Sequence, residues 1–297
     1  MHFGLPAYRF AAFLARTLPA PARSLICEVG GRFVAWRTPD QRDQVLRTLR
    51  RVYGPCVDDR RLARSMRKLF VSYGRYWALS LRLPSLSPEE IERGHDVVGY
   101  EYVEAARAGG RGVILALPHL GGWEWSAFWL TRIKGVPVTA VVEALEPPEL
   151  FEWFTNFRRS LGMSIVPVGP DAARQVLAAL KRNEVVCLLA DRDLGGSGVE
   201  VELFGEKTRL PAGPAALSLR SRAPLLPTAV YFADGGVLGV VQPPLDTARR
   251  ATLRDDLARV TAELARAFED LIRTAPEQWH LVQPNWPSDP GYGGLDG

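Results

Sequence analysis

Apolar positions change period along the chain. Over residues 41–83 they recur in steps of three and four, first as Val45, Leu46, Leu49 and Val52, then as Leu62, Met66, Leu69, Phe70, Tyr73, Trp77 and Leu81. This spacing predicts helices over 41–53 and 59–83, with a break at Gly54-Pro55. From residue 97 the pattern becomes short apolar runs alternating with helical periods. Strands are predicted over 97–99, 112–117, 136–142, 165–168, 185–190, 225–232 and 237–241. Helices are predicted over 101–108, 123–134, 148–161, 171–181, 212–220 and 252–273. The last carries Leu253, Leu257, Val260, Leu264, Phe268, Leu271 and Ile272, the stripe of a helix packed on a core. Strands alternating with helices imply an α/β domain, its central sheet mostly parallel and flanked by helices.

Residues 3–36 differ from both patterns. Phe3, Leu5, Tyr8, Phe10, Ala11, Phe13 and Leu14 surround Arg9 and Arg16; Pro19 and Pro21 break the run; Leu25, Ile26, Phe33, Val34 and Trp36 continue it around Arg23, Arg32 and Arg37. Aromatic and aliphatic residues with arginine on the remaining face suit a helix lying in a membrane interface. They also suit a helix packed on the body of the protein with its arginine stems stretched to solvent. Pro84 to Pro88 reads as a linker, and Ser87-Pro88-Glu89-Glu90 as a helix start. The chain thus divides into a basic helical membrane-associating region (1–84), an α/β domain (85–287) and a flexible tail (288–297) rich in Gly, Asp and Pro.

Composition and charge sharpen this division. The 297 residues are 47% hydrophobic and 24% charged, ordinary for a globular chain with a sizeable core. The net charge of +4 conceals an asymmetry: residues 1–82 carry 16 Lys/Arg against 5 Asp/Glu, a balance of +11, and the remainder a balance of −7. A basic region on an acidic body points to an anionic partner. No nucleic-acid-binding signature accompanies the basic residues, which leaves an anionic membrane surface as the expected partner. No uncharged apolar run reaches 18 residues and no signal-peptide pattern opens the chain. Three dispersed cysteines (Cys27, Cys56, Cys187) suggest neither a disulfide framework nor a metal site and fit a reducing compartment. The expectation is a peripheral protein on the cytoplasmic face of the membrane.

The candidate chemistry sits at strand ends. The apolar run 112–117 ends at Pro118 and delivers His119, followed by Leu120, Gly121, Gly122, Trp123 and Glu124. Ligands of open α/β sheets collect outside the carboxyl ends of the strands. A histidine and a carboxylate there suit a general base and its orienting partner. On one continuous helix residues five apart are rotated by about 140°, so His119 and Glu124 can meet only through the glycine turn. A capping histidine and an ordinary first-turn glutamate fit the same residues. A second strand end carries Asp191-Arg192-Asp193. If the two strands adjoin, these groups face the crevice of His119; Arg192 could clamp a phosphate, and Asp191 or Asp193 could pair with an arginine or with His119. Glu200 and Glu202 flank Val201 and point the same way on a short strand, so Glu200 is another candidate partner. The chain lacks G-x-S-x-G and H-E-x-x-H, and no His/Cys cluster suggests a metal. His95 and His280 read as lone structural histidines.

His119-Leu120-Gly121-Gly122-Trp123-Glu124 resembles the His-x4-Asp/Glu signature of bacterial lysophospholipid-type acyltransferases, in the branch of the lipid A biosynthesis lauroyl acyltransferases. The ending Ala275-Pro276-Glu277-Gln278-Trp279-His280-Leu281-Val282-Gln283-Pro284-Asn285-Trp286-Pro287 is similar to that of phosphatidylinositol mannoside acyltransferases, and the likeness runs from about residue 97 to 287. The resemblance implies transfer of a palmitoyl-like chain from acyl-CoA (or acyl carrier protein) to a mannose hydroxyl of a phosphatidylinositol mannoside. The donor is a co-substrate, and no cofactor is implied. His119 would be the base and Glu124 its orienting carboxylate, with Glu200 second choice because the family uses either the motif carboxylate or a more distal one. Backbone amides near Gly121-Gly122, or an arginine, would receive the oxyanion. The segment from Phe204-Gly205 to Pro214 resembles a block lining the substrate groove, with Thr208 and Arg209 as its polar members. Arg158 and Arg159 match a position for an arginine near the site. Trp123, Trp125, Phe128 and Trp129 could line an acyl tunnel. A thioesterase and a non-catalytic lipid-binding protein remain the alternatives.

Overall fold

The computed structural model describes residues 5–143, 148–193 and 196–293. Four helices come first: α1 (Leu5–Thr17), α2 (Ala20–Arg37), α3 (Pro39–Tyr53) and α4 (Asp59–Arg82). Pro21 is tolerated in the first turn of α2, where its missing N–H would have no partner anyway, so the break falls only between residues 17 and 20. The Asp58 carboxylate accepts from the Arg61 amide and caps α4. The inner face of α2 is made of small residues. A Cβ on Gly31 would lie 2.8 Å from the Val71 backbone, so α2 and α4 approach almost backbone to backbone.

The sheet follows a short helix with a complete capping box at Ser87 and Glu90, α5 (Pro88–Arg93). Then come β1 (His95–Val98), α6 (Tyr100–Ala108), β2 (Val113–Leu117), α7 (Trp123–Arg132), β3 (Val138–Val142), α8 (Pro148–Ser160), β4 (Met163–Pro167), α9 (Ala172–Lys181), β5 (Val185–Leu189), β6 (Val199–Leu203), β7 (Glu206–Leu210), α10 (Gly213–Ser221), β8 (Leu225–Ala233), β9 (Gly236–Val241) and α11 (Leu253–Thr274). Seven strands form one sheet in the order β1-β9-β8-β2-β5-β3-β4, antiparallel only between β8 and β9. The α/β class and mostly parallel sheet read from the sequence are therefore present. β2 is buried on both sides: Val113, Leu115 and Leu117 join a core with α6, α7 and α8, whereas Ile114 and Ala116 join a second core with α9, α10 and α11. The result is three layers, helix–sheet–helix.

Three features depart from the sequence reading. β6 and β7 form a separate antiparallel hairpin, and β7 was not foreseen. Its two-residue turn places Phe204 and Gly205 both at positive φ, 53° and 78°, as a primed hairpin turn requires. The proposed boundary at residues 84–88 separates helices from sheet along the chain but not in space: α4 packs against β-domain residues and its Tyr73, Tyr76 and Trp77 reach the cavity described below. Finally, Ser288 and Asp289 are not part of a loose tail. Asp289 is buried, ion-paired to Arg51 at 2.9 Å and bonded to Gln44 at 2.8 Å. Residues 294–297 of the expected tail, and 3–4 of the N-terminal run, lie outside the described residues.

Candidate active site

Strand register builds the site. β2 and β5 are parallel neighbours with Leu117 opposite Leu189, and the Ala190 amide donates to the Leu117 carbonyl at 2.9 Å. His119 and Asp191 each lie two residues beyond these paired ends, so they emerge side by side. His119 Nδ1 lies 2.6 Å from Asp191 Oδ1, and the His119 amide donates to Asp191 Oδ2 at 3.0 Å. With Nδ1–H given to the carboxylate, the imidazole lone pair is on Nε2. Asp191 is fully buried. Burial alone would raise its carboxyl, but the His119 ring and the hydrogen bonds from His119 and Trp279 outweigh it and hold it down to about 2.

The dyad opens on a cavity of about 700 Å³ that passes over the carboxyl edge of the sheet. On one side it is lined from α4, α7 and α8 by Tyr76, Trp77, Trp123, Phe154 and Arg158, and on the other from α9, α10 and the strand ends by Val168, Ala172, Val176, Leu188, Pro214 and Leu217. Of the four aromatic residues expected to line a tunnel, only Trp123 borders the cavity; Trp125, Phe128 and Trp129 fill the core beneath α7.

Glu124 does not serve His119. It is buried on the first turn of α7 and accepts from Tyr76 Oη at 2.8 Å, Arg158 at 3.0 Å and Ser80 Oγ at 3.4 Å. The five-residue offset carries it round the helix and away from the strand end. It holds Arg158 instead. Burial would lower the Arg158 guanidinium, but Glu124 beside it raises it, so the cation is secure. Burial, and then Glu124, push the Tyr76 phenol well above its ordinary value. Between the two arginine candidates the structure selects Arg158, which lines the cavity; Arg159 is exposed.

The remaining candidates separate. Glu200 is solvent-exposed on the hairpin and paired with Lys207 at 2.9 Å, whose hydrogen bond and charge lower its carboxyl. Thr208 is buried and donates to the Asn285 carbonyl, and Arg209 donates to the Gly196 carbonyl at 2.9 Å; neither borders the cavity, although Pro211 and Pro214 of the same block do. Arg192 and Asp193 do border it. Arg192 reaches Glu143 at 3.3 Å, and Asp193 accepts from the Gly198 amide at 2.6 Å. Gly121 is not an oxyanion donor: its amide donates to the Gln278 carbonyl at 3.0 Å. The residue is glycine because φ is 59° and a Cβ would lie 1.8 Å from the Val230 carbonyl oxygen.

Sequence reasoning missed His280. It borders the cavity, its Nε2 lies 2.9 Å from Ser72 Oγ, and its amide donates to the His119 carbonyl at 2.7 Å. Burial, and then the neighbouring His119, lower its ring to about 3, so it stands neutral beside the dyad. A single histidine 161 positions downstream carries no spacing signal.

A hydrogen-bonded histidine–aspartate pair beside a mainly apolar cavity suits an enzyme that handles a substrate with a hydrocarbon part. The chain belongs to the bacterial lipid A biosynthesis acyltransferase family, which it matches over residues 3–288, and it is an acyltransferase. It is 38% identical over 291 residues to the phosphatidylinositol mannoside acyltransferase of Mycobacterium tuberculosis, covering 95% of this chain and 88% of that one. It is 37% identical to the protein of that name from Mycolicibacterium smegmatis, over 93% and 89% of the two chains. A lipid A biosynthesis acyltransferase of Haemophilus influenzae is 26% identical over 65% of this chain and 59% of its own.

Proposed function

We propose that the protein transfers a fatty acyl chain from acyl-CoA to a mannose hydroxyl of a phosphatidylinositol mannoside, with His119 as general base. The observation that carries this reading is the 2.6 Å His119–Asp191 contact at the edge of the apolar cavity. His119 Nε2 removes the acceptor's proton as its oxygen attacks the thioester carbonyl. Asp191 fixes the tautomer and balances the imidazolium. The imidazolium then protonates the departing thiolate of CoA. The work assigned to such a base is on the order of 10²–10⁴ in rate. Arg158, which borders the cavity and has a buried Nε with no hydrogen-bond partner among the described residues, is the donor we assign to the oxyanion. The mainly apolar side of the cavity lined by α9 and α10 takes the acyl tail, and the aromatic side beside Arg158 takes the acceptor. Acyl-CoA is a co-substrate; the reaction calls for no cofactor.

The outer face of the N-terminal helices supports work at a membrane. Phe10 and Phe13 on α1, and Ile26, Val29, Phe33 and Trp36 on α2, are more than half exposed, the last four at steps of three, four and three. On α2 the small residues Gly31 and Ala35 face inward and the large apolar ones outward, the reverse of a water-facing helix. With the +11 balance of residues 1–82, this face suits an anionic leaflet, and we place the protein peripherally on the cytoplasmic face. Among the described residues no helix is long and apolar enough to cross a membrane.

The reading is tested by CoA release from palmitoyl-CoA with and without a phosphatidylinositol mannoside. Transfer requires release that rises with acceptor and a product carrying one added acyl group. Equal release with and without acceptor would indicate a thioesterase instead. Donor binding without release would indicate a lipid carrier.

A further inference from the structure

We propose that the strap formed by residues 276–289 is a positioning element of the dyad, acting through the indole N–H of Trp279. The proposal rests on the general-base reading of His119 and extends it to a residue outside the cavity. Trp279 is fully buried, and its Nε1–H donates to Asp191 Oδ2 at 2.6 Å. That oxygen also takes the His119 amide, while Oδ1 takes the His119 ring. Two donors on Oδ2 fix the plane of the carboxylate, so only Oδ1 faces the imidazole.

The strap is held firmly enough for this task. On either side of Trp279, the Gln278 carbonyl accepts from the Gly121 amide and the His280 amide donates to the His119 carbonyl. The Gln278 side chain exchanges two hydrogen bonds with the Phe232 backbone. Asn285 Nδ2 donates to the Asp191 carbonyl at 3.1 Å, fixing its main chain as Trp279 fixes its side chain. Beyond that, Trp286 Nε1 donates to the Leu203 carbonyl at 3.2 Å, and Asp289 is locked to Arg51. The strap therefore crosses both strand ends and is anchored on the far side of each.

The indole bond has an electronic consequence. A donor on Oδ2 draws charge from the carboxylate; without it Asp191 becomes the stronger base and favours the imidazolium. The acid limb of the pH–rate profile reports that equilibrium. The other titratable and charged groups that border the cavity beside the dyad are His280 on the strap, Tyr73 and Tyr76 on α4, Arg158 on α8, Glu143, Arg192, Asp193, and Arg220 on α10, with Glu124 of α7 behind Arg158. Removing the indole N–H changes none of them.

The test compares Trp279→Phe with Trp286→Phe, a matched loss of a buried indole donor that binds Leu203 rather than Asp191. Trp279→Phe is expected to move the acid limb of kcat/KM upward by about one pH unit. Trp286→Phe is expected to leave it in place. An unmoved limb in Trp279→Phe, or equal shifts in both variants, would overturn the proposal. A second measurement uses the wild-type protein with 15N-labelled tryptophan. The Trp279 indole resonance is expected to titrate with the midpoint of kcat/KM and the Trp286 resonance to stay flat; a flat Trp279 resonance overturns the proposal even where Trp279→Phe does not fold. Full activity of His119→Ala would instead remove the general-base reading itself, wherever the limb lies.

Discussion

Four carboxylates (Glu124, Glu200, Asp191 and Asp193) compete, by sequence alone, for the place beside His119, and three of them now have distinct expected phenotypes. Asp191→Asn removes the charge that balances the imidazolium, so kcat is expected to fall on the order of 10²–10⁴-fold, approaching His119→Ala. Glu200→Gln, exposed on the hairpin, is expected to leave kcat within about twofold, as other surface substitutions do. Glu124→Ala strands the buried Arg158 cation and is expected to cost about 3–5 kcal/mol in urea unfolding. The preference for Glu124 was an error of proximity along the chain: residue 124 is near 119 in sequence, but residue 191 is near it in space. Only the pairing of β2 with β5 reveals that, and a run of valines and leucines does not name its neighbour.

The buried histidines set the response to acid. Burial lowers the His280 ring to about 3 and the His95 ring to about 4. The folded chain keeps both neutral while the unfolded chain protonates them below about 6.5. Their contribution is present above that pH and lost as pH falls toward those lowered values, at up to about 1.4 kcal/mol per pH unit for each. Asp191, held down to about 2, contributes above pH 4 and loses that contribution between about pH 4 and 2. Urea midpoints from pH 7 to 4 are expected to fall, and His95→Gln, which lies away from the cavity, should flatten that slope. An unchanged slope would remove His95 from the account.

At the scale of elements, the helices and strands of the α/β domain were legible because their apolar periods are long and clean. The β6–β7 hairpin was not, because Phe204 occupies a turn position that ordinarily calls for Asn, Asp or Gly. Two elements make testable demands. The turn after β2 needs glycine at 121, and Gly121→Ala is expected to cost about 1–3 kcal/mol or more, since both the positive φ and the Val230 carbonyl oppose a methyl group. Thermal unfolding measures it. The α9–α10 wall is lined by small residues, including Ala173 and Ala216. Ala216→Phe is expected to shift the donor preference from sixteen-carbon toward eight-carbon chains by about tenfold or more in kcat/KM. An unchanged preference would place the acyl tail against the aromatic side of the cavity instead.

Across the whole molecule, the charge asymmetry visible in the sequence coincides with an outward apolar face on α1 and α2, which the sequence could propose but not orient. The orientation comes from Gly31 and Ala35, whose small size draws the inner face of α2 onto α4. Co-sedimentation with anionic phosphatidylinositol vesicles is expected to exceed that with neutral phosphatidylcholine and to weaken with salt. Phe33→Glu together with Trp36→Glu should abolish it without loss of the folded state. α4, onto which α2 packs, supplies Tyr73, Tyr76 and Trp77 to the cavity, so the outward apolar face and the candidate site are joined through the contact of α2 with α4.

The most direct test of the central claim separates binding from chemistry in one variant. Palmitoyl-CoA affinity by calorimetry and the rate of acyl transfer to a phosphatidylinositol mannoside would be measured for the wild type and His119→Ala. The expected result is donor affinity unchanged within about threefold and a transfer rate reduced on the order of 10²–10⁴-fold. A His119→Ala protein that transfers acyl groups at the wild-type rate would contradict the account.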